Sequence, residues 1–123
     1  MTRRILLVED DPFLVDIYKT KFKEEGFEIE VAQEGKQALV KIEEQNPDVL
    51  LLDLVLPHLD GFELLKEIRN NKKMKDLKVI ILSNLSQKGE VEKGLALGAT
   101  KYLIKAHHTP SEVVKEVKQI FKE

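Results

Sequence analysis

Short apolar runs recur along this chain, and each stops abruptly at a polar residue. Ile5-Leu6-Leu7-Val8 ends at Glu9-Asp10-Asp11, and Val49-Leu50-Leu51-Leu52 ends at Asp53. Leu77 to Leu82 ends at Ser83-Asn84. Runs of this length, without the alternation of a half-exposed strand, fit strands buried on both faces, as in a parallel sheet. A parallel pair cannot be closed by a tight turn, so each strand must be followed by a long crossover. The segments between the runs have the helical period such a crossover needs. This pattern therefore restricts the chain to alternating strands and helices.

Taken in order, Pro12 suits a first helical turn, and the acids before it complement a helix N-terminus. Leu14, Ile17, Tyr18 and Phe22 then lie on one helical face, and Gly26 is a C-terminal stop. Phe27 to Ala32 alternates apolar and acidic residues, which predicts a half-exposed strand near a sheet edge. Ala38, Leu39 and Ile42 carry a second helix that ends by Asn46-Pro47. Leu56 to Gly61 is a loop with turn chemistry, in which Asp60 caps a third helix facing inward through Gly61, Leu64, Leu65 and Ile68. A fourth helix is expected over about 86–97, with Val91, Gly94, Leu95 and Gly98 on one face. Thr100 to Ile104 is a fifth strand ending at Lys105. Thr109-Pro110-Ser111-Glu112 opens a last helix whose Val113, Val117, Ile120 and Phe121 face inward.

The expectation is a single (βα)5 domain over residues 1–123, with helices on both faces of a doubly wound five-stranded parallel sheet of order 2-1-3-4-5. Ligands in such sheets bind outside the carboxyl ends of the strands, at the switch between the first and third. The chain has no cysteine, which excludes a disulfide framework, a thiolate nucleophile and a zinc-thiolate site. Its net charge is −2 with both signs mixed, so no basic stripe points to direct nucleic-acid binding. The first apolar run is too short for a signal peptide or a membrane span, and a cytoplasmic protein is the expectation.

The polar residues that stop the strands should converge on one rim: Glu9, Asp10 and Asp11, then Asp53, Ser83 and Lys105. Several carboxylates there cannot all ionise cheaply without a cation. A cysteine-free cluster of oxygen ligands suits Mg²⁺. With a lysine and a hydroxyl alongside, the rim is a receptor for a phosphoryl group, with Asp53 as the nucleophile that forms an aspartyl phosphate.

The whole chain resembles a response-regulator receiver domain, the CheY-like phosphoacceptor of two-component signalling, with its flavodoxin-like fold. Four pieces carry the resemblance: Ile5 to Asp11, the block Asp53-Leu54-Val55-Leu56-Pro57-His58-Leu59-Asp60-Gly61, Ser83, and Lys105 after Tyr102-Leu103-Ile104. It implies that Asp53 is phosphorylated by a histidine kinase or phosphotransfer protein. It implies that Asp10 and Asp53 bind Mg²⁺ by side chain, Val55 by its backbone carbonyl and Glu9 through a water. Ser83 and Lys105 would contact the phosphoryl group, and Tyr102 matches the switch aromatic. Phosphorylation would shift the surface of helix 4, strand 5 and helix 5, for partner binding by a monomer or a phosphorylation-dependent homodimer. The resemblance implies a phosphoacceptor with only self-phosphorylation and self-dephosphorylation chemistry, not an enzyme. With one helix after Lys105, a receiver without an output domain is expected.

Three residues depart from the family pattern. Ala106 stands where the family has a proline, usually preceded by a cis bond, so either a trans bond with a rearranged loop or a cis bond is expected. Asn84 occupies a place that is usually Ala or Gly. Val55 brings an apolar side chain to the site mouth and cannot orient a water, which predicts slow self-dephosphorylation. Two other functions fit these residues less well. An aspartate-nucleophile phosphohydrolase of the haloacid-dehalogenase kind needs a second Asp at position 55, and a flavin-binding protein needs a hydroxyl- and Gly-rich loop where this chain has acids.

Overall fold

The apolar runs form five parallel strands: β1 (Arg4–Val8), β2 (Glu28–Ala32), β3 (Val49–Leu52), β4 (Lys78–Ser83) and β5 (Lys101–Ile104). They are joined in the order β2-β1-β3-β4-β5, as the crossover pattern requires. The helices are α1 (Pro12–Glu24), α2 (Gly35–Gln45), α3 (Gly61–Asn70), α4 (Lys88–Ala96) and α5 (Pro110–Ile120). The structure is a computed structural model and describes residues 2–58 and 60–122, so Leu59 of the expected loop lies outside the described residues. Among the described residues, no helix is long and apolar enough to cross a membrane.

The unbroken apolar runs are explained by two cores, one on each face of the sheet. Successive strand residues point to opposite faces. Leu6, Val8, Leu50, Leu52, Val79 and Ile81 pack on one side with Leu64, Leu65 and Ile68 of α3. Ile5, Leu7, Val49, Leu51, Ile80 and Leu82 pack on the other with Tyr18 and Phe22 of α1 and Val113, Val114 and Val117 of α5. In the edge strand β2, Ile29 is buried and Val31 half-buried on one face while Glu28 and Glu30 are exposed, and the alternation ends at Ala32, buried on the opposite face. Fully burying one Leu, Ile or Val contributes about 1.5–3 kcal/mol, so the three central strands supply much of the stability.

Helix α4 departs from the periodicity reading. It starts later than predicted, at Lys88, where the Glu90 carboxylate accepts the Gln87 N–H at 3.0 Å. Leu95, expected inside, is 47 % exposed. The reason is Gly94: a Cβ there would lie 2.7 Å from Ile81 Cδ1 and 2.9 Å from Tyr102 Cδ2. The helix approaches the sheet through that glycine, and this close approach turns Leu95 outward. Gly98 is not part of the helical face but follows the helix at φ +104°, a backbone that favours glycine.

A tie that periodicity does not reveal lies below α3. Arg69 donates to the carbonyls of Lys75, Leu77 and Gly98 at 2.7–3.0 Å, fastening the end of α3 to the strands' amino-terminal side. Its guanidinium fork suits this multiple carbonyl capture.

Candidate functional site

Strand register sets the rim. Val8 pairs with Ala32 and Leu52, and Leu52 with Ile81, so β1, β2 and β3 end almost level. Glu9 and Asp53 each continue the ladder by one bond, Glu9 N–H to Ala32 O at 3.0 Å and Asp53 N–H to Val8 O at 3.1 Å. Their backbones are thus fixed by the sheet while their side chains stand at its edge. Asp53 is 7 % exposed and Glu9 2 %.

The three leading acids divide their work. Asp11 caps α1, accepting from Phe13 N–H at 2.9 Å and Leu14 N–H at 3.5 Å. Glu9 turns inward, and its Oε2 accepts from the N–H groups of Asp10 and Asp11 at 3.1 and 3.3 Å. Asp10 is exposed beside it. One carboxylate oxygen from each of Glu9, Asp10 and Asp53 lies within 4.8 Å of the others. Asp53 Oδ1 also accepts the Val55 N–H at 3.3 Å, which folds the chain back so that Val55 sits at the site mouth with its side chain 61 % exposed.

Lys105 reaches this cluster from the end of β5. Its ammonium donates to Asp53 Oδ2 at 3.1 Å and to Glu9 Oε1. Burial opposes the charge on Lys105, but the hydrogen bond to Glu9 and the charge of Asp53 outweigh it and hold its pKa above the ordinary lysine value. Burial raises the pKa of Glu9, and Asp53 adds to the rise against the pull of Lys105.

Ser83 ends β4 fully buried, and its Oγ accepts the Leu85 N–H at 3.3 Å. As a hydroxyl accepting one bond, it still has its proton to donate. Tyr102 lies at the border of β5 and α4, and its hydroxyl donates to Leu85 O at 2.6 Å. Glu9, Asp10, Asp53 and Lys105 thus meet in one cluster; Ser83 ends the neighbouring strand, Val55 flanks the mouth, and Tyr102 binds the loop that follows Ser83. Beyond Lys105 the peptide to Ala106 is trans, and Lys105–His107 form a single 3-10 turn that periodicity could not foresee. A groove of about 290 Å³ runs from Lys105 between Leu14, Ile17 and Tyr18 of α1 and His108.

Gly61 is the residue whose necessity the sequence pattern understated. The helical period places it on an inward face, but its role is close approach. A Cβ there would lie 2.5 Å from Leu54 Cα and 2.8 Å from Asp53 O. Its N–H donates to Leu54 O at 2.9 Å, so the start of α3 presses directly on the backbone that carries Asp53.

A doubly wound parallel sheet with clustered acids at the β1/β3 switch and a lysine from β5 defines an α/β protein with an acidic, lysine-paired cluster on its carboxyl rim. The sequence matches the family described as response regulator receiver domain over residues 5–118. This chain belongs to that family, the phosphoacceptor domains of two-component signalling. It is 34% identical over 122 residues to the alkaline phosphatase synthesis transcriptional regulatory protein PhoP of Bacillus subtilis (strain 168), covering 99% of this chain and 50% of that protein. It superposes with a TM-score of 0.90 on a putative response regulator from Chloroflexus aurantiacus J-10-fl, at 31% identity and covering 98% of each chain. The chemotaxis protein CheY4 of Vibrio cholerae also gives 0.90, at 26% identity, covering 98% of this chain and 100% of that one. The chain spans about half the length of the curated relatives it matches.

Proposed function

We propose that Asp53 is the phosphoryl acceptor of this receiver domain. The observation that carries the reading is the ammonium of Lys105 set against Asp53 Oδ2 and Glu9 at the switch point of the sheet. An Asp53 oxygen attacks phosphorus in line with the leaving group, so an O–P bond forms as the donor's P–N bond breaks. The donor is a histidine kinase or phosphotransfer protein, whose imidazole leaves and takes a proton. Lys105 offsets the negative charge gathering on the phosphoryl oxygens, and Ser83 donates its hydroxyl proton to one of them.

The donor set fits Mg²⁺: three carboxylates together, one exposed, with no sulfur or imidazole among them. Asp10 and Asp53 would hold it by side chain and Val55 by its carbonyl, with Glu9 acting through a water. When bound, the ion supplies charge neutralisation for the phosphoryl oxygens. Glu9 and Asp53 share Lys105 meanwhile, which keeps the acids paired and the nucleophile in place.

A phosphoryl group adds about −1.5 to −2 of charge. Ser83 and Lys105 then draw toward it, and because Tyr102 binds Leu85 in the loop next to Ser83, the change reaches the face made by α4, β5 and α5. That face is the switched surface for an effector or for a second copy of the chain. The test is incubation with Mg²⁺ and acetyl phosphate followed by intact mass. One added phosphoryl group is expected, absent without Mg²⁺ and in Asp53→Asn. No adduct with acetyl phosphate or with a phosphorylated histidine donor overturns the proposal.

A further inference from the structure

The 3-10 turn that carries Lys105 has weak backbone closure, supplemented locally by the His108 ring against the Ile104 carbonyl at 3.1 Å. Its closing bond, His108 N–H to Lys105 O, is long at 3.4 Å. The residue before it, Ile104, has no side-chain oxygen to cap it. The leading N–H groups of any helical turn lack partners within it. One of them, on Ala106, is taken by a residue 22 positions away: Asn84 Oδ1 accepts it at 3.1 Å. Asn84 therefore acts as a cap supplied from the loop between β4 and α4.

The pairing depends on both residues. A proline at 106 would have no N–H to give, and it would disfavour the helical backbone that Lys105 adopts in this turn. An alanine or glycine at 84 would have no oxygen to accept. Asn84 and Ala106 are both exposed, so packing at these two residues does not substitute for the bond between them. The same loop is fastened a second time, by Tyr102 to Leu85 O. Ser83 and Lys105 come from different strands, yet the loops that follow them are joined by this one bond.

We propose that Asn84 is a positioning residue: through the Ala106 N–H it holds the turn that begins at Lys105 and so keeps the ammonium aimed at Asp53. This rests on the reading of Asp53 as acceptor. The Asn84 side-chain oxygen bonds the Ala106 N–H and not a group on Glu9, Asp10 or Asp53. Its loss should therefore slow phosphorylation without changing the Mg²⁺ requirement.

The experiment uses the full chain, isotope-labelled and unphosphorylated, to follow hydrogen exchange of the Ala106 amide. In Asn84→Ala that amide should exchange several-fold faster than in the parent. In Asn84→Asp, which keeps the accepting oxygen, it should stay as slow as in the parent. With acetyl phosphate, Asn84→Ala should be phosphorylated roughly 3- to 10-fold more slowly, the span expected for one lost hydrogen bond, at an unchanged half-saturating Mg²⁺ concentration. Unchanged exchange in Asn84→Ala, equal loss of protection in Asn84→Asp, or phosphorylation of Asn84→Ala at the parent rate each overturns the proposal. A parent chain that takes no phosphoryl group overturns the acceptor reading and the proposal with it, a failure distinct from any of these.

Discussion

Replacing Asp10 by asparagine should make the protein more stable without Mg²⁺ and less responsive to it. One oxygen of Asp10 lies within 4.8 Å of oxygens on both Glu9 and Asp53. Two unit charges at that spacing repel by about 0.9 kcal/mol in water and about 3.5 kcal/mol at an effective dielectric of 20. Asp10 is exposed, which favours the lower figure, and Lys105 already neutralises part of the charge on its two neighbours. The net gain in Asp10→Asn is then about 1 kcal/mol, or about 3–5 °C in Tm for a domain of this size. On the proposed Mg²⁺ site, the ion at a hundred times its dissociation constant would add about 2.7 kcal/mol to the parent, since it would bind only the folded state. The variant would lack one of the proposed ligands and should gain far less. Thermal unfolding in a chelator and again with Mg²⁺ should therefore show the two proteins exchanging rank. If Asp10→Asn is destabilised in the chelator, or gains as much from Mg²⁺ as the parent, the acids do not form the electrostatic cluster described.

Gly61→Ala places a Cβ against the backbone of Leu54 and Asp53, which cannot yield as a side-chain tip can. It should cost about 3 kcal/mol in urea unfolding and slow phosphorylation, and a loss under 0.5 kcal/mol would contradict the close approach. Because the folded pKa of Lys105 is raised, its contribution to stability is complete below about pH 10.4 and is lost as pH climbs through the folded value. Lys105→Met should lack that alkaline limb in unfolding curves from pH 9 to 11.5, and parent and variant curves of the same shape would count against the pairing. Val55 is exposed and apolar at the mouth, so nothing on that side orients an attacking water. The aspartyl phosphate should last many minutes or longer once donor is removed, and a lifetime of seconds would show that another group activates the water.

The features legible in the sequence were those that depend on burial and spacing. Central strands buried on both faces leave continuous apolar runs, and the residue that stops each run is where the strand leaves the core. Reading those stops was enough to place Glu9, Asp10, Asp53, Ser83 and Lys105 on one rim, and the alternation of β2 was enough to put it at the edge. The Thr109–Glu112 box shows the same local legibility, with both reciprocal bonds formed at 2.8 and 3.2 Å. What escaped was set by contacts between distant segments. Helix α4 has two glycines and a weak apolar stripe, so its orientation came from the Gly94 contact with Ile81 and Tyr102 rather than from its own period. The ties of Arg69 leave no mark in the sequence because its partners are backbone carbonyls, which any sequence supplies. Asn84 and Ala106 each stood out singly, but only the fold brings residues 22 apart within 3.1 Å.

The central claim is that one carboxylate, that of Asp53, receives the phosphoryl group. Borohydride reduces an acyl phosphate of aspartate to homoserine and leaves free carboxylates alone. Treating the protein with Mg²⁺ and acetyl phosphate, reducing it, and sequencing its peptides by mass spectrometry should find homoserine at position 53 and aspartate at 10 and 11. Homoserine at 10 or 11, or at no position after confirmed phosphoryl addition, would contradict the account.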